Sequence, residues 1–206
     1  FDTESDNLAI GYDALGGAVA GGEYNVAIGN YSLDALTSSD FNTAVGYRTG
    51  SAITTGDGNT LFGYEAGSAI TGAGAYNVCL GTAAGSSITT GIRNTFVGQA
   101  GHSFDTENDN LGIGHAALGG NIAGGEYNIA IGNYTGQSLT SGDNNVFVGY
   151  LAGANTTSGG NATCVGFEAG KENTAHELTA FGSKSATNNT SGGGITAIGR
   201  EAYNNA

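Results

Sequence analysis

Asn25-Val26-Ala27-Ile28-Gly29 decides the fold, because close relatives of this stretch return about every 17 residues along the chain. Two further copies are Asn42-Thr43-Ala44-Val45-Gly46 and Asn128-Ile129-Ala130-Ile131-Gly132. With the first residue of each copy as the anchor, every gap between anchors is 16, 17 or 18 residues. The anchors lie at positions 7, 25, 42, 59, 77, 94, 110, 128, 145, 162, 178 and 195. A fixed short period is typical of one unit stacked on itself, so the sequence predicts a solenoid.

Each repeat has the same internal pattern. A large apolar residue stands three positions after every anchor, as Ile28 and Val45 do, and a glycine follows it in all 12 copies. Period-two alternation with many β-branched residues predicts a strand whose first and third side chains share a face. The glycine predicts a backbone with positive φ, or a contact too close for a Cβ atom.

A second apolar column and a polar turn complete the repeat. Turn sequences such as Thr-Thr-Gly follow this column, so each coil is predicted to contain a strand, a glycine turn, a short second strand and a polar turn. The prediction is an all-β parallel β-solenoid, or β-roll, of about 12 coils, roughly 55–60 Å long at the usual strand spacing. The second column contains Leu36, Ile53, Ile70, Ile88 and Leu139.

The anchor is asparagine in nine of the 12 copies, and Ala162, Leu178 and Ile195 replace it near the C-terminus. Stacked asparagine side chains form hydrogen-bonded ladders. Asparagine also tolerates the left-handed backbone conformation of turns. We expect both properties at the anchor.

The chain also contains a longer duplication. Residues 1–47 align with 104–150 without a gap, and 32 of these 47 positions are identical. This indicates two 103-residue blocks, 1–103 and 104–206, of about six coils each. No linker composition separates them, so we expect residues 1–206 to form one continuous domain.

Composition limits the partners of the chain. Five Lys and Arg residues against 18 Asp and Glu residues give a net charge of −13, which disfavours nucleic acid as a partner. No apolar run approaches the length of a membrane span, so we expect no membrane insertion. Cys79 and Cys164 occupy the same repeat position five coils apart, roughly 24 Å, which excludes a disulfide within the chain and suggests small core or interface residues.

Two stretches resemble known repeats. Asn59-Thr60-Leu61-Phe62-Gly63-Tyr64-Glu65-Ala66-Gly67 and Asn94-Thr95-Phe96-Val97-Gly98 resemble the Asn-Thr-Phe-Ile-Gly-x-x-Ala-Gly repeats of tail-fibre-type proteins of phages and bacterial surfaces. Val26-Ala27-Ile28-Gly29 is similar to the head repeats of trimeric autotransporter adhesins. This second resemblance implies a left-handed β-roll in a homotrimer.

The apolar pattern also favours a trimer, with one continuous monomeric roll as the alternative. A coil of 17 residues encloses little core, and the strand face opposite the Ile/Val column is apolar as well. Three-fold self-association would cover that face. The face contains Ala9, Ala27, Ala44, Cys79, Phe96, Phe147 and Cys164.

Two acidic clusters are candidate calcium sites, because alternating carboxylates on one loop supply oxygen ligands. The alternative is a solvated acidic turn. The clusters are Asp2, Glu4 and Asp6, and Asp105, Glu107 and Asp109.

Aromatic residues form two columns, whose rings could stack on sugars or only on one another to stiffen the solenoid. The first column precedes the anchor and contains Tyr24, Phe41, Tyr76 and Tyr127. The second follows the invariant glycine and contains Tyr12, Tyr47, Tyr64, Tyr150 and Phe167. Pairs such as Thr54-Thr55, Thr89-Thr90 and Thr156-Thr157 leave an ice-binding face as a further alternative.

These features favour a non-enzymatic extracellular fibre segment of a phage tail fibre or bacterial surface adhesin, located on a virion or cell surface. No catalytic constellation or cofactor site other than the calcium candidates is visible. One alternative is a polysaccharide-binding β-solenoid that uses its tyrosine columns, with a cell-surface glycan as partner. Another is a subunit of a head-to-tail filament, since uncapped solenoid ends template further coils.

Overall fold

The computed structural model describes residues 6–103, 105–120 and 124–204. These residues contain twelve strands of three residues each, one per coil, and no helix. The chain divides into two compact units, Phe1–Thr106 and Glu107–Ala206, with six strands in each. In the first unit the strands are β1 Leu8–Ile10, β2 Val26–Ile28, β3 Thr43–Val45, β4 Thr60–Phe62, β5 Val78–Leu80 and β6 Thr95–Val97. In the second they are β7 Leu111–Ile113, β8 Ile129–Ile131, β9 Val146–Val148, β10 Thr163–Val165, β11 Thr179–Phe181 and β12 Thr196–Ile198.

Within each unit, consecutive strands pair in parallel and in register. Ala27 lies opposite Ala9 on one side and Ala44 on the other, and the same alignment continues from coil to coil. The backbone N–H of Thr43 donates to the Asn59 carbonyl at 2.8 Å, and every pairing of this kind joins neighbouring coils. The predicted parallel β-solenoid with a repeat of about 17 residues is therefore confirmed. Its left-handedness and its trimeric state stay predictions.

The strand face that points into the core is the opposite of the expected one. The sequence pattern places the Ile/Val column inside and leaves the other face to be covered by a trimer. From β2 to β12 the middle residue of each strand is buried, whereas the first and third are half-buried or exposed. Ala27, Cys79 and Phe96 are core residues, while Ile28 and Val45 point outward. Period-two alternation shows which side chains share a face, but both faces are apolar here. Which face is enclosed depends on the space left by the rest of the coil.

The second apolar column is buried, but the prediction that it forms a second strand is wrong. Leu36, Ile53 and Ile70 are fully buried, yet no described residue in this part of a coil forms a strand, and a tight turn precedes each of the three. In the third coil Gly46, Arg48 and Gly50 have φ of 140°, 52° and 60°. Alternate residues with positive φ turn the chain too sharply for an extended strand.

The invariant glycines have the predicted positive φ, and from Gly11 to Gly81 and from Gly114 to Gly182 they also make the predicted close contact. A Cβ atom on Gly29 would lie 2.3 Å from the carbonyl oxygen of Gly46, the matching glycine of the next coil. One on Gly46 would meet the Gly63 carbonyl oxygen at the same 2.3 Å. The glycine column therefore allows neighbouring backbones to approach closely.

The asparagine ladder is confirmed. Asn42 Oδ1 accepts hydrogen bonds from the backbone N–H of Asn59 at 2.9 Å and from its Nδ2 at 3.1 Å, and all three atoms are buried. Asn25 and Asn42 repeat the arrangement one coil earlier at 2.9 and 3.2 Å. The left-handed conformation belongs to the residue before the anchor, as at Phe41 with φ 60°. The expectation that the anchor itself adopts it is wrong, because the amide must stay aligned with the next coil.

Cys79 and Cys164 are free and fully buried in the cores of their units. Burial raises the pKa of each thiol to about 12, so both stay protonated at neutral pH. The prediction of small core residues is thus confirmed over the alternative of interface residues.

Among the described residues, no helix is long and apolar enough to cross a membrane.

Candidate functional site

Four exposed or half-buried aromatic rings form a continuous column in the first unit, called here the first aromatic ladder. Its members are Tyr12, Tyr31, Tyr47 and Tyr64. Tyr31 meets Tyr12 edge-on at 5.4 Å between ring centroids and Tyr47 edge-on at 6.0 Å. Tyr47 and Tyr64 stack at 5.6 Å with their planes 12° apart. The rings therefore contact one another, and they also face solvent, where they could stack on a sugar.

The second unit carries a related column, the second aromatic ladder, formed by His115, Tyr134, Tyr150 and Phe167. Tyr134 meets His115 edge-on at 5.1 Å and Tyr150 at 6.0 Å. Tyr150 and Phe167 stack at 5.7 Å. Each member follows its counterpart in the first ladder by 103 residues, which is the offset of the duplication.

The sequence-based columns missed Tyr31 and Tyr134. Both stand one position later than the other tyrosines, because asparagine occupies the usual aromatic position in those coils. Asn30 instead accepts a hydrogen bond from the Tyr12 backbone N–H at 2.9 Å. Tyr31 has φ 58°, which brings its ring back into the column. The sequence Gly-Asn-Tyr at residues 29–31 and 132–134 could have indicated that these tyrosines belong to the column.

The other predicted column lies immediately before the anchors. Tyr24 and Phe41 stack at 5.3 Å with nearly parallel planes, 1° apart. Tyr76 and Tyr127 are exposed at the matching position of their own coils. All four have positive φ, so these rings project from tight turns. Tyr24, Tyr76 and Tyr127 thus remain accessible to a ligand.

A groove of about 360 Å³ opens beside the first aromatic ladder. It is lined by Tyr31, Asp34, Tyr47 and Arg48. Tyr31 and Arg48 are held in place by left-handed backbone conformations, with φ of 58° and 52°. The groove therefore combines two aromatic walls with one acidic and one basic side chain. Sequence reasoning assigned no role to Asp34 or Arg48, because neither belongs to a repeated column.

Asp34 is the unusual group of this groove. Its Oδ1 is buried, and no donor among the described residues reaches it. Burial raises the pKa of Asp34; its backbone amide opposes the rise, the charge of Asp13 adds to it, and Arg48 lowers it. An unsatisfied buried acceptor costs stability, about 1–3 kcal/mol in typical cases.

The acidic calcium candidates are placed as follows. Asp2 and Glu4 lie outside the described residues, and Asp6 is exposed. Glu107 is buried and its Oε1 accepts a hydrogen bond from the Gly124 N–H at 2.9 Å, while Asp105 Oδ1 accepts one from the Thr89 hydroxyl. Asp109 has φ 59° in the turn before its anchor. Across the described ranges, no three His, Cys, Asp or Glu residues form a group that could hold a metal ion. Calcium binding stays a prediction without support from this geometry.

Threonine hydroxyls bind the backbone of the next coil. Thr37 Oγ1 donates to the Thr54 carbonyl at 2.9 Å, and Thr71 Oγ1 donates to the Thr89 carbonyl at 3.0 Å. Thr156, assigned to the ice-binding alternative, is buried. These contacts stabilise the stacking of coils and give the ice-binding alternative no support.

A second surface follows from the outward strand positions and is called here the outer sheet face. It consists of the first and third residues of each strand, none of which is buried in the described chain. Phe62 is 42% exposed and Phe181 56% exposed, although both are large apolar residues. In the first unit the third-position side chains from β2 to β6 are all apolar: Ile28, Val45, Phe62, Leu80 and Val97.

No protein-family model, curated protein or solved structure matches the chain. The resemblance to tail-fibre-type repeats and autotransporter heads therefore stays a prediction. What the ladders, the groove and the outer sheet face can bind follows from their own geometry.

Proposed function

We propose that the chain is a non-enzymatic structural and adhesive fibre segment that acts outside the cell, on a virion or a cell surface, as a homotrimer. The outer sheet face is the observation that carries this proposal. Each unit encloses its own core, yet it leaves the apolar third-position column of this face uncovered. Exposed apolar surfaces of this kind typically mark sites of protein association.

The energetics favour association through this face. Burying an Ile, Val, Leu or Phe side chain contributes about 1.5–3 kcal/mol when it starts fully exposed. The third-position residues here start between half-buried and exposed, so each contributes less. Several acting together still offset the cost of association, which is about 4–15 kcal/mol. The surface is also continuous within each unit, because the register places like positions beside each other.

The fibre role is supported by how the coils are joined. Backbone hydrogen bonds, the asparagine ladder and the threonine hydroxyls all connect one coil to the next within a unit. Such repeated contacts resist local opening. The net charge of −13 keeps separate assemblies apart in solution.

We expect the wild-type chain to elute at three times its 20.3 kDa mass over a tenfold dilution. Light scattering on a sizing column measures this directly. Changing Phe62 and Phe181 to glutamate places charges on the outer sheet face at exposed positions. Because these side chains contribute little to the inner core, the variant should keep its β-sheet circular dichroism and elute as a single chain.

The control changes Ser38 and Ser158, which are exposed turn residues, to glutamate. It adds the same charge elsewhere and should keep the wild-type mass. A wild-type chain that elutes as a monomer at every concentration would refute the trimer. Open-ended growth with concentration would favour the head-to-tail filament instead.

The aromatic ladders favour a second candidate function, recognition of a polysaccharide. Aromatic rings stack on the apolar faces of sugar rings, while nearby polar groups bind the hydroxyls. The exposed ladder residues include Tyr47, Tyr64 and Tyr150, and each ladder extends over consecutive coils. A repeating ligand would match this repeating surface. A cell-surface glycan is the partner that such an adhesive fibre would contact.

A glycan array tests this candidate. We expect saturable binding by the wild-type chain and at least a tenfold loss for the double variant Tyr64→Ala and Tyr150→Ala, since losing about 1.4 kcal/mol of ring contact is enough to weaken binding tenfold. Thr82→Ala is the matched control, because Thr82 is an exposed non-aromatic residue at the same repeat position. Equal binding by all three chains would exclude the ladders as the glycan surface.

A further inference from the structure

We propose that the groove lined by Tyr31, Asp34, Tyr47 and Arg48 is a subsite for one neutral sugar unit of a polysaccharide. This inference rests on the polysaccharide-recognition function proposed above and assigns it a specific position. The groove lies beside the first aromatic ladder and shares Tyr31 and Tyr47 with it.

The shape of the groove suits a sugar ring. Its volume of about 360 Å³ lies at the small end of the range for ligand sites. The rings of Tyr31 and Tyr47 are 88° apart, with centroids at 6.0 Å, so they form a corner. One ring can stack on the apolar face of a sugar while the other closes its side. Both residues belong to neighbouring coils that are joined by the backbone hydrogen bond from Arg48 N–H to the Asn30 carbonyl at 3.0 Å.

The polar groups of the groove match hydroxyl groups. Asp34 lines the groove, so its carboxylate can accept a hydrogen bond from a sugar hydroxyl. Arg48 carries several N–H donors and no acceptor, so it can bind a ring or hydroxyl oxygen on the same ligand.

The charges favour a neutral ligand. Asp34 and Asp13 are close enough for the charge of Asp13 to affect Asp34, and they would repel the carboxylate of an acidic sugar. Arg48 acts on Asp34 in the opposite sense, so it competes with the ammonium group of an amino sugar for that carboxylate. The net charge of −13 further disfavours acidic polysaccharides. A neutral hexose unit meets none of these penalties.

The duplicated block provides an internal comparison. At the positions that correspond to Tyr31, Asp34, Tyr47 and Arg48, it contains Tyr134, Gln137, Tyr150 and Leu151. The aromatic residues are retained, whereas the acid and the base are replaced by neutral side chains. Gln137 and Leu151 are therefore side chains that a related coil accommodates, and they are suitable replacements for Asp34 and Arg48.

The test uses the full chain and neutral hexose tetrasaccharides, one α-linked and one β-linked, in titration calorimetry. A uronic-acid tetrasaccharide is titrated in parallel. We expect the wild-type chain to bind a neutral tetrasaccharide and the double variant Asp34→Gln and Arg48→Leu to bind it at least tenfold more weakly. Because Asp34→Gln removes a desolvated charge, its Tm should equal or exceed that of the wild type. The reduced affinity would then not reflect unfolding.

The matched control changes Asp57 and Arg93, another acid and base of the first unit, to Gln and Leu. It should bind as the wild type does. If the wild type binds but the groove variant binds equally well, the subsite is wrong while polysaccharide recognition stands. If the uronic-acid probe binds more tightly, the neutral assignment is wrong. If no tetrasaccharide binds, this inference fails, and the glycan array separately decides whether longer glycans bind elsewhere.

Discussion

Alanine in place of Gly46 is expected to destabilise the first unit by about 3–5 kcal/mol, one of the largest losses that a single methyl group can cause. Gly46 has φ 140°, a region that residues with a Cβ atom rarely adopt. The added Cβ would lie 2.3 Å from the Gly63 carbonyl oxygen and 2.7 Å from the Thr49 hydroxyl. Relief requires the next coil to move away, which lengthens the backbone hydrogen bonds on both sides. Urea unfolding followed by circular dichroism measures the loss.

Gly199→Ala is the matched control for this variant. Gly199 belongs to the same column and has φ 117°, but a Cβ atom there meets nothing within 4 Å. Its substitution introduces the backbone strain without the collision, so we expect a loss of about 1–2 kcal/mol. Equal losses for the two variants would show that φ alone explains the invariant glycine and that close packing of coils does not.

Asn42→Ala is expected to reduce the free energy of unfolding of the same unit by about 2–4 kcal/mol. Asn42 is fully buried, and its Oδ1 accepts two hydrogen bonds from Asn59. Its Nδ2 donates to Asn25 Oδ1 at 3.2 Å and to the Asp40 carbonyl at 3.2 Å. Alanine removes these partners and leaves buried polar groups of two neighbouring coils unsatisfied. Urea unfolding is again the measurement.

Two further variants give this prediction its control. Asn30→Ala removes an exposed side chain whose Oδ1 accepts one hydrogen bond, so it should cost no more than about 1 kcal/mol. Asn42→Asp keeps the size but loses the Nδ2 donor, and it should be at least as harmful as alanine. A small loss for Asn42→Asp would mean that the Nδ2 donor contributes little and that the ladder depends on its Oδ1 acceptors.

The sequence predicted those parts of the fold that depend on repetition. The 17-residue period, the strand after each anchor, the asparagine ladder and the glycine contact all depend on the same residue recurring in the same place. Stacking then brings like residues together, as with Asn42 and Asn59. The inward face was predicted incorrectly because both faces of the strand are apolar. The second strand was predicted incorrectly because buried Leu36 and Ile53 directly follow tight turns that contain positive-φ residues such as Leu33 and Gly50, which hydrophobicity does not reveal.

The candidate groove could not be predicted in the same way. Asp34 and Arg48 each occur once at their repeat positions, so no pattern distinguishes them from solvated surface charges. The groove that Asp34 and Arg48 line also depends on Tyr31, whose left-handed backbone places its ring between those of Tyr12 and Tyr47. Sites made from exceptions to a repeat become visible only when neighbouring coils are placed side by side.

The in-register pairing of consecutive coils has a consequence for how each unit folds. Every interface joins residues about one repeat apart in sequence, as Ala27 and Ala44 are. Closing such a loop costs little entropy, and the cost is the same at every step because the loop length hardly changes. Once a first pair of coils has formed, each further coil therefore adds to a finished template, and the search for native contacts stays short however long the array becomes.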